Sequence, residues 1–240
     1  MRRLAFLFLL HLAAACGQGE TTSDTSSVVL DSQSSKWPNA RAIPVCVMNR
    51  EEIGDDLYLD VKNYVSTEYW NRTGIRFLGW ESCTESQLKS SVIRVQFNRT
   101  HNWSSSSSVV AGGGLSMVGK SSRTCGTDCE GGTMRLDIGD EGNYPSPSSR
   151  YRSFAVARTR GTAIHEFGHA IGLMHEHERT DVEDCDKSSG RVEAKAPYVY
   201  VGDYDESSIM NYCHGDSVTT LSAGDVEGVF YVYPDLETGH

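Results

Sequence analysis

The chain has 240 residues, 38% of them hydrophobic, which suits one well-buried core and a single domain once a leader is removed. Its formal charge of -10 and isoelectric point near 5.2 leave out the nucleic-acid binders, whose footprints need clustered Lys and Arg. Acidity by itself says little about a substrate, since net charge concerns solubility and steering.

Residues 1–15 have a signal peptide's layout: Arg2 and Arg3, an apolar run over 4–10, and small residues at Ala13, Ala14 and Ala15. The segment is too short to span a bilayer. Leu12-Ala-Ala-Ala-Cys16 resembles a bacterial lipobox, although the usual leucine lies one place nearer the cysteine and His11 is unusual in an apolar core. Export is therefore expected, either to the cell envelope with a lipid on Cys16 as the one membrane attachment, or as a secreted protein cut near Ala15. Assigning Cys16 to a lipid leaves six of the seven cysteines, and six allow fifteen connectivities. An exported chain oxidises them, and locality favours Cys46 with Cys83, Cys125 with Cys129, and Cys185 with Cys213. Residues 16–36, rich in Ser, Thr, Asp and Gln, read as a flexible tether or short propeptide. No motif surrounds Asp24 or Asp31.

The domain proper is expected over 37–240, opening with Trp37-Pro38-Asn39 and a strand at Ile43-Pro44-Val45. After the capping candidates Asp55 and Asp56, the helical recurrence of Leu57, Val61, Tyr64, Val65 and Tyr69 predicts a helix with a core-facing stripe. Residues 75–80 and 92–97 read as strands. The Asn-x-Ser/Thr triplets at Asn71, Asn98 and Asn102 carry no weight beside a bacterial leader. Ser104 to Ser108 and the glycines around Gly113 form a low-complexity loop. Residues 133–138 alternate cleanly, with Met134, Leu136 and Ile138 on one face.

The densest chemistry is the run from His165 to Arg179. Residues four apart on a helix lie one turn above each other, so His165 and His169 can face one metal with Glu166 beside it. Alone, that spacing often marks only a solvated helix face. Gly172 supplies the left-handed residue at which a helix stops and reverses, and His175 follows as a third imidazole. Three neutral imidazoles leave one tetrahedral position for water, the mark of a catalytic rather than structural zinc. A capping-box pair, Ser222 and Asp225, predicts a final helix through Val229 and Tyr233.

The extended histidine pattern, with Glu176, Arg179 and Asp181 after it and Ser208-Ile209-Met210-Asn211-Tyr212 downstream, resembles the metzincin metalloproteases and, within them, the astacins. The resemblance covers residues 37–233. It implies an α+β zincin fold: a small mixed, twisted sheet and two main helices over a cleft, an N-terminal subdomain over about 37–172, and a C-terminal one over about 173–240 that ends in a helix. It gives 133–138 the part of the edge strand to which a substrate peptide adds. It also implies one zinc ion on His165, His169 and His175, with Tyr212 as a labile further ligand and Met210 packed beneath. Glu166 then takes a proton from water and returns it to the leaving amine, while Tyr212 moves to the oxyanion. The enzyme expected is a zinc endopeptidase, monomeric, acting on protein or peptide substrates outside the cytoplasm.

In mature astacins a freed N-terminal amine pairs with the residue that is Glu176 here. A lipidated Cys16 has no such amine, so either the tether is cut before Trp37 or Glu176 finds another partner such as Arg179. Taken as a helix-end pair on the surface, Glu176 and Arg179 would contribute little. Arg191 and Lys195 are candidates for a basic substrate pocket. The alternative function is a non-catalytic, zinc-stabilised binding or adhesion lipoprotein. It requires a lost base, and Glu166 is intact.

Overall fold

The computed structural model describes residues 27–31, 35–99, 113–119, 133–138, 149–181, 194–213 and 218–239. The leader, Cys16, Asp24, Asn102, Ser104 to Ser108, Cys125, Cys129, Cys185 and Arg191 lie outside the described residues.

The architecture is α+β. Strands β1 (Ser27–Leu30), β2 (Ile43–Val47), β3 (Phe77–Ser82), β4 (Ile93–Arg99), β5 (Gly114–Ser116), β6 (Met134–Ile138) and β7 (Tyr198–Val201) alternate with helices α1 (Asp55–Thr73), α2 (Glu85–Leu88), α3 (Ser149–Ile171) and α4 (Ala223–Val232). A five-stranded sheet has the order β3-β2-β4-β6-β5, parallel except for β5, and β1 pairs antiparallel with β7 in a second, two-stranded sheet. None of the helices among the described residues is long and apolar enough to cross a membrane.

The predicted stripe of α1 is its buried face: Val61, Val65 and Tyr69 are fully buried, joined by Tyr58, with Leu57 and Tyr64 half-buried against them. The helix is not capped by an aspartate. Its N-cap is Gly54, and Asp55 and Asp56 occupy the first turn, where negative charge complements the helix dipole. Between α1, α3 and the sheet lies an aromatic cluster, with Phe77 and Phe167 ring centres 4.7 Å apart and Tyr69 and Trp80 beside them at 5.2 Å. The pairing of β2 with β3 shifts register past Val45, and there Gly79 and Trp80 take φ of 103° and 70°. That conformation costs a tryptophan on the order of 1 kcal/mol or more. Its indole is 1% exposed in return, in the middle of the core.

Two stretches differ from expectation. Ser27 to Leu30, assigned by composition to a tether, is strand β1, with Val28 and Val29 fully buried. Pairing with β7 on one side and with the turn after α3 on the other satisfies its backbone, so two valines suffice to hold it. Met134 to Ile138 alternates as read, yet it is not the edge, because β5 lies outside it. Gly114-Leu115-Ser116 is too short and glycine-rich to register as a strand by periodicity.

Candidate active site

Helix α3 ends where the site begins. An α-helix leaves its last four carbonyls without intrahelical donors. Here Gly172 N donates to His169 O and Leu173 N to Gly168 O, both at 2.9 Å, around a left-handed Gly172 with φ of 112°. The other two are met from a distance: Trp37 Nε1 donates to Ala170 O at 2.7 Å and the Tyr233 hydroxyl to Ile171 O at 2.9 Å. Strand β1 then straps the turn, with Leu30 N donating to Gly172 O at 2.9 Å and Met174 N to Val28 O at 2.8 Å. His175 emerges from this fixed turn, and Glu176 N ties it onward to Met210 O at 3.0 Å.

His165, His169 and His175 converge. Each donates its Nδ1 proton to a fixed acceptor: Ile209 O at 2.8 Å, Leu173 O at 2.9 Å and Glu178 Oε1 at 3.1 Å respectively. The Nε2 lone pairs therefore face one another, 3.3 Å from His165 to His175 and 3.0 Å from His169 to His175, with no proton of their own between them. That arrangement is repulsive without a cation. Nitrogens bound tetrahedrally to zinc at 2.0–2.1 Å sit about 3.3 Å apart, so the donor set fits zinc in type and spacing. Burial holds the imidazoles in the neutral, ligating form, with His165 and His169 below their ordinary range and His175 down to about 3; desolvation is the chief cause in each.

Tyr212 closes the group. Its hydroxyl is 3.1 Å from both His165 Nε2 and His175 Nε2. Desolvation, with the charges of Glu166 and Glu178, pushes it up to about 12, so it stays a protonated donor. Glu166 is 3% exposed, its Oε2 is buried with no hydrogen-bond partner among the described residues, and desolvation pushes its carboxyl up to about 8. Strand β5 presses on it: a Cβ on Gly114 would collide with Glu166 Oε1. Met210 is 1% exposed under α3, and a Cβ on Gly168 would lie 2.7 Å from its sulfur.

No family model matches the chain. A stretch of 64 residues is 38% identical to zinc metalloproteinase nas-3 of Caenorhabditis elegans, covering 23% of this chain and 21% of that relative's length. Among solved structures, myroilysin superposes with a TM-score of 0.59 over 86% of this chain and 98% of its own, at 22% identity. The chain shares the fold of that protein. High choriolytic enzyme 1, a hatching enzyme zinc-protease of the medaka Oryzias latipes, gives a TM-score of 0.49 at 17% identity over 85% of this chain and 96% of its own.

Within this fold the residues singled out for the site lie together, with two exceptions: Arg191 lies outside the described residues and Lys195 is exposed. The reading of Glu176 and Arg179 as a surface pair is corrected, since both side chains are 1% exposed and the ion pair measures 3.2 Å. Glu176 Oε1 also accepts from Asp205 N at 3.0 Å, so this carboxylate has internal partners. Arg179 further reaches Asp181 and the carbonyls of Gly202 and Asp203, and stacks 4.5 Å over the Tyr200 ring. Cys46 and Cys83 form a disulfide. Cys213 is also disulfide-bonded.

Three side chains escaped the sequence reading. Glu178 holds His175, and nothing in its spacing announces this. His177 is 1% exposed; its Nδ1 accepts Tyr212 N at 3.2 Å and its ring lies 4.6 Å from the tyrosine's. Asp225, recognised only as a cap, also accepts from Ser208 Oγ at 2.6 Å and Ile209 N at 2.9 Å. It thereby fixes the turn whose Ile209 carbonyl orients His165.

Proposed function

We propose that the chain is a zinc-dependent endopeptidase of astacin type, hydrolysing peptide bonds in proteins outside the cytoplasm. The observation that carries this reading is the convergence of three Nε2 atoms and the Tyr212 hydroxyl, with the buried Glu166, whose Oε2 has no hydrogen-bond partner among the described residues, next to His165 on the same helix. His165, His169 and His175 would hold one zinc, with Tyr212 as an additional, labile ligand. Zinc, when bound, polarises a carbonyl and lowers the pKa of a coordinated water to about 7.

Glu166 accepts the proton that water loses on attacking the peptide carbonyl and delivers it to the departing amine. Its apolar surroundings keep its proton affinity high enough for both transfers. Tyr212, protonated and 43% exposed, turns toward the carbonyl oxygen and donates to the charge developing there. The outer edge of β5 beside Glu166 suits an extended substrate backbone adding as a further strand. The Cys46–Cys83 disulfide and the N-terminal leader support an exported protein, with lipid on Cys16 as its anchor.

The deciding test is cleavage of an unstructured protein by the zinc-loaded exported chain, with fragment ends read by mass spectrometry. Glu166→Ala and zinc chelation are each expected to lower the rate by about 10³-fold or more, and Tyr212→Phe by about 10²-fold with zinc retained. A native protein that holds zinc and cleaves nothing would sink the enzyme reading in favour of a zinc-stabilised binding protein.

A further inference from the structure

The three Nδ1 atoms are not held alike. His165 and His169 donate to main-chain carbonyls, which no side-chain substitution removes. His175 donates to a side chain, Glu178 Oε1, at 3.1 Å. His175 is the N-cap of the one-turn 3-10 helix Glu176–Glu178, where the chain has left α3. Such a turn brings residue i+3 back over residue i, and Glu178 N also donates to His175 O at 3.3 Å. The Glu178 side chain is 14% exposed, so water competes little for its carboxylate.

We infer that Glu178 is a positioning residue that sets how tightly this site holds its metal, an inference resting on the zinc-enzyme reading. A carboxylate behind a ligating imidazole does three things. It fixes the proton on Nδ1, so that Nε2 presents its lone pair to the site. It orients a ring that no helix supports. It also raises the electron density at Nε2 beyond what a neutral carbonyl provides. His175 joins the site from a turn rather than from α3, so its ring is the one whose orientation depends on a side chain.

The test is zinc binding, independent of catalysis. Metal-free native protein, Glu178→Ala and Glu178→Gln are titrated against a chromogenic chelator, zinc dissociation rates are measured, and the visible bands of the cobalt-loaded forms are recorded. Glu178→Ala is expected to bind zinc about 10- to 100-fold more weakly, mainly through faster dissociation, with shifted cobalt bands. Glu178→Gln recovers part of the loss, because its amide oxygen still accepts from Nδ1. Zinc affinity of Glu178→Ala within twofold of native overturns the inference. Should that variant lose its far-UV circular dichroism, Glu178→Gln decides: dissociation more than twofold faster than native supports the assignment, and a rate within twofold overturns it. A native protein that takes up no zinc overturns the zinc reading beneath it, a result distinct from unchanged uptake in the variants.

Discussion

The two sides of the site are built by different means. On the side of the sheet, α1 and α3, side chains are held by apolar packing: Phe77, Trp80, Phe167 and Tyr69 interlock, and the polar atoms among them are few. Among the described residues of 173–239 there are one four-residue strand, one ten-residue α-helix and two short 3-10 helices, and much of the positioning falls to two buried charges. Arg179 gathers Glu176, Asp181 and two carbonyls, while Asp225 gathers Ser208, Ile209 and Ser222. Packing tolerates a change of shape better than a buried charge tolerates the loss of its partner. The three clustered histidines straddle the divide, His165 and His169 on the packed helix and His175 on the polar side.

That contrast can be broken. Arg179→Met keeps most of the side-chain volume but strands Glu176 in the interior, and should cost about 3–5 kcal/mol in urea denaturation. A loss under about 1 kcal/mol would erase the distinction. Glu166 is the odd group on the packed side, a carboxyl raised to about 8 from 4.5 by desolvation. Folding then favours its protonated form, so its contribution to stability is full at low pH and is lost as pH rises from 4.5 through 8. Metal-stripped Glu166→Gln should match native protein below about pH 4 and exceed it by on the order of 4 kcal/mol at pH 8. Parallel melting curves across that range would refute the burial of the charge. Phe167→Leu, within the aromatic cluster, is expected to lose only about 1.5 kcal/mol. Smallest is Trp37→Phe, which leaves Ala170 O without its donor for about 1 kcal/mol, read from the shift in urea midpoint.

Legibility follows the same division. The stripe of α1, the alternation of β6 and the spacing of His165 and His169 are local periodicities, and each is where the sequence puts it. The capping box of α4 is equally local. What could not be read is held by bonds between distant residues: β1 to β7 across 168 to 174 positions, Trp37 and Tyr233 to the end of α3, Asp225 to the turn at Ser208 and Ile209. A serine-rich stretch with two valines carries no period that names a partner. Glu178 shows a further limit, since it is near in sequence to His175 but its role depends on the turn type adopted there.

The strap formed by β1 bears on the order in which the molecule can assemble. Chains are synthesised from the N-terminus, so Ser27 to Leu30 leave the ribosome early, but their partner Tyr198 to Val201 is made when most of the sequence is already out. Until then Val28 and Val29 have nowhere to be buried, and the turn that carries His175 lacks its outer brace. Tyr233, which seals the last carbonyl of α3, comes later still. The turn that carries the third imidazole therefore gains its brace only after residues 198–201 have been made.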